Sequence, residues 1–113
     1  MVEMRDKSIL VNIVKHCIRV EETIKDINEA EFYNDINVQD IVCFNIFQIG
    51  ELIKNLSPEF LSNYPGVSWK RIKGMRDIIG HGYGTIRWDI VWEAAFIDVK
   101  PLHDYCSSII EKQ

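Results

Sequence analysis

The segment Arg76-Asp77-Ile78-Ile79-Gly80-His81-Gly82-Tyr83 sets a permanent cation five residues before a titratable imidazole, with a phenol two residues further on. Arginine stays protonated at any physiological pH and offers a planar fork of donors that fits two phosphate oxygens, whereas histidine gives or takes a proton near neutrality. The pairing suggests phosphate chemistry, with one group as clamp and the other as proton shuttle. Asp77 lies four residues before His81, so on a helix its carboxylate can approach the ring and fix its tautomer or raise its basicity. Tyr83 adds a nucleophilic hydroxyl.

The sequence carries no Gly-rich phosphate loop, no HExxH, no Cys/His metal cluster and no GxSxG elbow, so neither a metal nor a cofactor is expected. RNA brings its own nucleophile. Its 2′-hydroxyl attacks the adjacent phosphorus once a base removes the proton and an acid protonates the departing 5′-oxygen. One His81 per chain is one catalyst short of a concerted mechanism, and a two-fold dimer whose axis passes near it would supply a second imidazole and a second guanidinium.

The formal net charge is −4, but it is unevenly spread. Between Ser68 and Trp88, Lys70, Arg71, Lys73, Arg76 and Arg87 stand against Asp77 alone, a local balance of +4 on an otherwise acidic chain. This basic segment is a candidate RNA-binding surface around the Arg/His pair, with a solvated helix face as the plainer reading.

Helices must position these groups. The 113 residues, 47% of them hydrophobic, fit one domain with an adequate core and no internal linker. From Ser8 to Ile27, Ile9, Leu10, Ile13, Val14, Cys17, Ile18, Ile24 and Ile27 follow three/four spacing, with Asp6 as a candidate cap. Asn28 to Asp35 reads as a connection with room for a short turn. Asn37 is a candidate cap for Val38 to Leu56, a helix apolar nearly all round and therefore central or at a subunit interface. Its amides Asn45 and Gln48 need partners, which an interface could supply. Ser57-Pro58 opens a short helix ending near Asn63, Tyr64-Pro65-Gly66 turns, and Ser68 caps a helix with Trp69, Ile72, Met75, Ile78 and Ile79 inward. Gly74, Gly80 and Gly82 weaken that helix and permit close backbone approach. Trp88, Trp92 and Phe96 form a core stripe on a further helix, Pro101 breaks or kinks it, and a last helix runs to about Lys112. No strand pattern emerges; the expected fold is an all-α, antiparallel bundle of four or five helices.

Cys17, Cys43 and Cys106, scattered among apolar neighbours, read as reduced core residues, and His16 and His103 as boundary residues. The apolar stretch Ile41 to Ile53 is too short for a membrane span, and the N-terminus lacks secretory features, so a cytoplasmic location is expected.

Arg76-x-x-x-x-His81-x-Tyr83 resembles the R-x-x-x-x-H-x-Y signature of HEPN-domain proteins, specifically the HepT-like ribonuclease toxins. Gly50-Glu51, Leu56-Ser57-Pro58-Glu59, Pro65-Gly66 followed by Trp69, Ile72-Lys73-Gly74-Met75 and Trp92 fall where that family's pattern places them. The resemblance implies a homodimeric, metal-independent endoribonuclease acting as the toxin of a type VII toxin–antitoxin pair. Arg76 and His81 would be catalytic. A minimal nucleotidyltransferase antitoxin would use ATP and magnesium to attach AMP to Tyr83, bringing bulk and negative charge into a cleft built for RNA. Asp77 departs from the asparagine common at that position; a carboxylate there would support His81 as a base while repelling RNA. The alternative is a non-catalytic helical module that binds a nucleotidyltransferase partner or a nucleotide.

Overall fold

The computed structural model describes residues 2–80 and 86–112, apart from the side chains of residues 77–80. Among the described residues every regular element is helical: α1 (Met4–Ile24), α2 (Glu29–Tyr33), α3 (Ile36–Lys54), α4 (Pro58–Asn63), α5 (Trp69–Gly80), α6 (Trp88–Glu93) and α7 (Val99–Glu111). A π-helical turn, Ala94–Asp98, joins α6 to α7 without interruption. The all-helical bundle is as expected, with α2 and α4 as short pieces between the long rods.

Side-chain contacts fix how the rods run. Asp6 at the start of α1 meets Ser57 beyond the end of α3, while His16 further along α1 meets Asn45. Sequence numbers therefore rise on one helix as they fall on the other, so the pair is antiparallel. Glu21 meets His103, while Cys17 lies near Cys106, giving the same sense for α1 and α7. The core between them is Leu10, Ile13, Cys17 and Val20 of α1, Val42, Ile46, Ile49 and Ile53 of α3, and Leu102, Cys106 and Ile109 of α7. Each set follows three/four spacing, which gathers the apolar residues into one stripe per helix, and each large side chain buried contributes roughly 1.5–3 kcal/mol. All three cysteines are free and buried within this core. Burial pushes the Cys43 and Cys106 thiols up to about 12 and Cys17 higher still, so they are neutral hydrophobes, as read from the sequence.

Several local expectations are corrected. Asp6 does not cap α1, which begins at Met4 with Glu3 before it. It is buried instead, and accepts hydrogen bonds from Ser57 N at 3.0 Å and Ser57 Oγ at 2.7 Å. Ser57 Oγ in turn accepts from Phe60 N at 3.1 Å, capping α4 as expected. The cap of α3 is Asp35, whose Oδ1 accepts from Asn37 and Val38, so the helix starts earlier than a cap at Asn37 would place it. The Asn28–Asp35 connection contains α2, opened by a reciprocal capping box between Asn28 and Glu31 and anchored by fully buried Phe32.

Pro101 does not break the last helix. It is the third residue of α7, one turn after Ile97 of the π turn, where the wider backbone relieves the clash of the proline ring with the preceding turn. The same π turn rotates the register, so Phe96 is 61% exposed and stacks on Trp92 from outside, with ring centroids 5.3 Å apart. The expected core stripe therefore ends at Trp92, which packs on Phe32 at 5.3 Å.

Candidate active site

The helix carrying Arg76 is pinned at its N-terminal end. Ser68 Oγ accepts from Arg71 N at 3.3 Å, the capping expected from the sequence. The Trp69 indole donates to Tyr64 O at 2.7 Å, and Gly66 N donates to the Tyr105 hydroxyl of α7 at 3.0 Å. A β-carbon on Gly66 would meet the Tyr105 ring at 2.4 Å, so a side chain there must displace that ring and with it the hydroxyl that accepts from Gly66 N. Phe60 stacks on Tyr64 at 4.7 Å and meets Trp69 edge-on at 5.8 Å, so α4, the turn and α5 form one aromatic block. Trp69, Ile72 and Met75 point inward as expected, and a small cavity lined by Ile46, Ile49, Ile72 and Met75 marks where α5 faces α3.

Arg76, one residue on from Met75, emerges along the α3 flank of this contact. Three residues of α3 hold it. Glu51 Oε1 accepts from Arg76 Nε, and both side chains remain about one-third exposed, 34% and 32%. Phe47 presents its ring to the guanidinium, with Cζ 5.5 Å from the centroid, a cation–π arrangement. Gly50 lies between them, and a β-carbon there would stand 2.6 Å from Arg76 Cβ. The missing side chain is what lets α5 come close enough for Glu51 and Phe47 to flank the arginine. Gly74, expected to allow such an approach, has no side chain or neighbouring helix among the described residues within 4 Å of where its β-carbon would stand.

The other basic candidates divide by helix face. At about 100° per residue, Lys73 lies only about 60° from Arg76, whereas Lys70 and Arg71 lie about 120° and 140° away. Arg71 bridges Glu93 at 3.1 Å and Asp98 at 3.3 Å. Burial pushes the Asp98 carboxyl up, and the Arg71 charge partly offsets this. These residues, with Ser68, Lys70 and Met75, line an open cleft of about 640 Å³ on a different flank from Arg76. Arg87 is occupied by Asp89 through contacts of 2.8 and 3.2 Å, and this hydrogen bonding holds the Asp89 carboxyl below its ordinary range. The five basic residues of the segment thus do not form one continuous surface: Arg76 and Lys73 share a side, and two of the others sit in local ion pairs.

His81 and Tyr83 lie outside the described residues. Asp77 is in α5, with its side chain also outside them. The residues around Arg76 that the motif alone does not single out are Phe47 and Glu51; the available signal is a lone acid in the apolar run Ile41 to Ile53, a residue type that pairs with a cation where two helices meet. Asn45 shows the same rule with a different outcome from that expected. Its Oδ1 pairs with His16 Nδ1 at 2.7 Å and its Nδ2 donates to Ile41 O at 2.8 Å, so its partners come from its own chain. His16 and His103 are half-buried boundary residues, the latter paired with Glu21 at 2.7 Å.

The outer side of α3 continues from this cradle. Phe44, one turn before Phe47, is 54% exposed, and Ile41 is 46% exposed. Among the described residues, no three His, Cys, Asp or Glu side chains converge as a metal site, and no helix is long and apolar enough to cross a membrane.

Comparison with known proteins brings this geometry into a family. Residues 13–109 match the model described as ribonuclease HepT-like. A candidate RNase of Caldanaerobacter subterraneus subsp. tengcongensis is 31% identical, over 92% of this chain and 93% of its own length. A longer protein of Methanocaldococcus jannaschii, named as a gamma-glutamylcyclotransferase and candidate RNase, is 34% identical over 96% of this chain and 49% of its own length. A probable ribonuclease HepT of Thermococcus cleftensis is 27% identical over 85% of this chain and 87% of its own. No solved structure matches significantly.

Proposed function

The chain belongs to the HepT-like ribonuclease family, and from that premise we propose that it is a metal-independent endoribonuclease, the toxin of a type VII toxin–antitoxin pair, working as a cytoplasmic homodimer. The observation that carries this reading is the partly exposed Arg76 side chain, held on α3 and five residues before His81. Arg76 binds the scissile phosphate and balances the charge that develops on it. His81, from one subunit or from both, moves the protons. The 2′-oxygen bonds to phosphorus as the P–O5′ bond breaks, leaving a 2′,3′-cyclic phosphate on one fragment and a 5′-hydroxyl on the other. Lys73, beside Arg76, is the best placed of the basic candidates to hold a neighbouring phosphate; Lys70, Arg71 and Arg87 would contribute only at the periphery.

The composite site needs a second copy, and the exposed Phe44 and Ile41 support α3 as the surface that meets it. This face borders the Arg76 cradle, so pairing it about a two-fold axis would bring two guanidinium groups toward one groove while covering apolar side chains. Tyr83, two residues past His81, is the acceptor for AMP from a nucleotidyltransferase antitoxin in this reading, and modification would block the groove with charge and bulk.

The test is RNA cleavage in EDTA by the purified protein beside Arg76→Ala and His81→Ala. Each variant is expected to lose about a hundredfold or more in rate. Equal cleavage by all three, or partner binding with no cleavage by the wild type, would refute the assignment. Phe44→Asp is expected to convert the dimer to monomer in sedimentation and to abolish cleavage with it.

A further inference from the structure

Resting on the ribonuclease reading, the geometry points to Glu51 as a positioning residue for Arg76, one that fixes the direction of the phosphate clamp and weakens its grip on RNA at the same time. Glu51 is the only charged residue between Ile41 and Ile53. The Glu51 carboxylate, about one-third exposed, meets Arg76 at Nε in a charge-assisted hydrogen bond. The choice of nitrogen matters. A guanidinium is planar, so a hydrogen bond at Nε sets the line along which the two terminal nitrogens project, and the Phe47 ring 5.5 Å from Cζ limits the remaining tilt. Gly50 completes the arrangement by allowing the two backbones together, with Arg76 Cβ 2.6 Å from where a β-carbon would stand.

The carboxylate has two opposed effects. Orientation of the clamp acts when the phosphate is reacting, so it belongs to kcat; misplacing a clamping group by about 1 Å can cost a hundredfold in rate. The carboxylate charge acts on every RNA phosphate that approaches, reacting or not, so it belongs to KM. A residue present only to stabilise the α3–α5 contact would change neither selectively.

Substitution separates these effects. Glu51→Gln retains an oxygen acceptor for Nε but removes the charge; kcat is expected to stay within about threefold of wild type while KM for RNA falls severalfold. Glu51→Ala removes both and is expected to lower kcat by about tenfold or more. Glu51→Asp keeps the charge but withdraws it by one methylene, and is expected to lower kcat without the gain in KM. In an Arg76→Ala background, Glu51→Ala should have no further effect on kcat, because there is no clamp left to orient. The Arg76 Nε–Hε NMR signal reads the same contact without relying on cleavage: protected from exchange in wild type and in Glu51→Gln, and lost in Glu51→Ala. Wild-type kcat in Glu51→Ala, equal kcat losses in the Ala and Gln variants, or an unprotected Nε–Hε in the wild type would each overturn the inference. Absence of wild-type cleavage with a protected Nε–Hε would refute the ribonuclease reading while leaving the positioning contact in place.

Discussion

Two glycines, one in α3 and one in α5, should respond to alanine with opposite signs, and the structure supplies the magnitude. Glycine inside a helix is less favourable than alanine by about 0.5–1 kcal/mol. At Gly74 no side chain or neighbouring helix among the described residues comes within 4 Å of the β-position, so Gly74→Ala should keep that gain. At Gly50 the same methyl would stand 2.6 Å from Arg76 Cβ, an atom fixed to backbone rather than the end of a flexible side chain. Carbon contacts are optimal at about 3.5–4.0 Å, so α3 and α5 must separate by about 1 Å or the arginine backbone must shift. Overpacking of this kind costs about 1–3 kcal/mol, which outweighs the helix gain and leaves a net loss of about 0.5–2 kcal/mol. For a domain of this size 1 kcal/mol corresponds to about 4 °C. Gly74→Ala is therefore expected to raise Tm by about 2–4 °C, and Gly50→Ala to lower it by about 2–8 °C. Circular dichroism melts and urea titrations with unchanged m-values measure both. A Gly50→Ala protein as stable as Gly74→Ala would refute the close helix approach, and with it the account of how Arg76 is held.

Other consequences concern the core. Asp6→Ala removes the acceptor for both Ser57 N and Ser57 Oγ inside the protein; a loss of about 2 kcal/mol is expected, seen as a Tm lower by about 8 °C, and Ser57→Ala in that background should cost only the α4 cap to Phe60 N, about 1 kcal/mol. The thiols give a pH dependence. Buried Cys43 and Cys106 hold their protons to about 12, against an ordinary value of 9.0. Above that ordinary value the unfolded chain releases protons that the folded chain keeps, so the thiols' contribution to stability should be constant below about pH 9 and fall as pH rises toward 12, by up to about 1.4 kcal/mol per pH unit for each thiol. Urea titrations under reducing conditions test this, and the Cys43→Ala and Cys106→Ala variants should each flatten the slope.

The all-helical fold is legible in the sequence because its signals are local. Three/four spacing in α1 and α7 picks out the buried stripe, and Ser57-Pro58 and Ser68 mark helix starts through hydrogen bonds that span only three residues. The expected cap that fails at α1 involves a residue with two possible partners. Asp6 suits an N-cap by type, but its carboxylate is taken by Ser57, fifty-one residues away, and no local pattern records that competition. Pro101 and Phe96 depart from expectation together, since one π turn both accommodates the proline and rotates the aromatic outward. That Asn45 needs a partner follows from its apolar surroundings, but its match with His16 depends on how α1 and α3 align.

What the sequence determined by itself was the order of chemistry along and just beyond α5: a cation, an imidazole and a phenol at fixed intervals, within a chain whose apolar periodicity demands helices. Which of the neighbouring cations face the same way was decided only when the helices packed. Arg71 was drawn to Glu93 and Asp98 on one flank of α5, and Arg76 to Glu51 and Phe47 on the other. The physical reason is that spacing sets the angle of a side chain about its own helix, whereas its partner, and hence the charge it has left to offer a ligand, is set by residues distant in the chain that packing brings within a few ångströms.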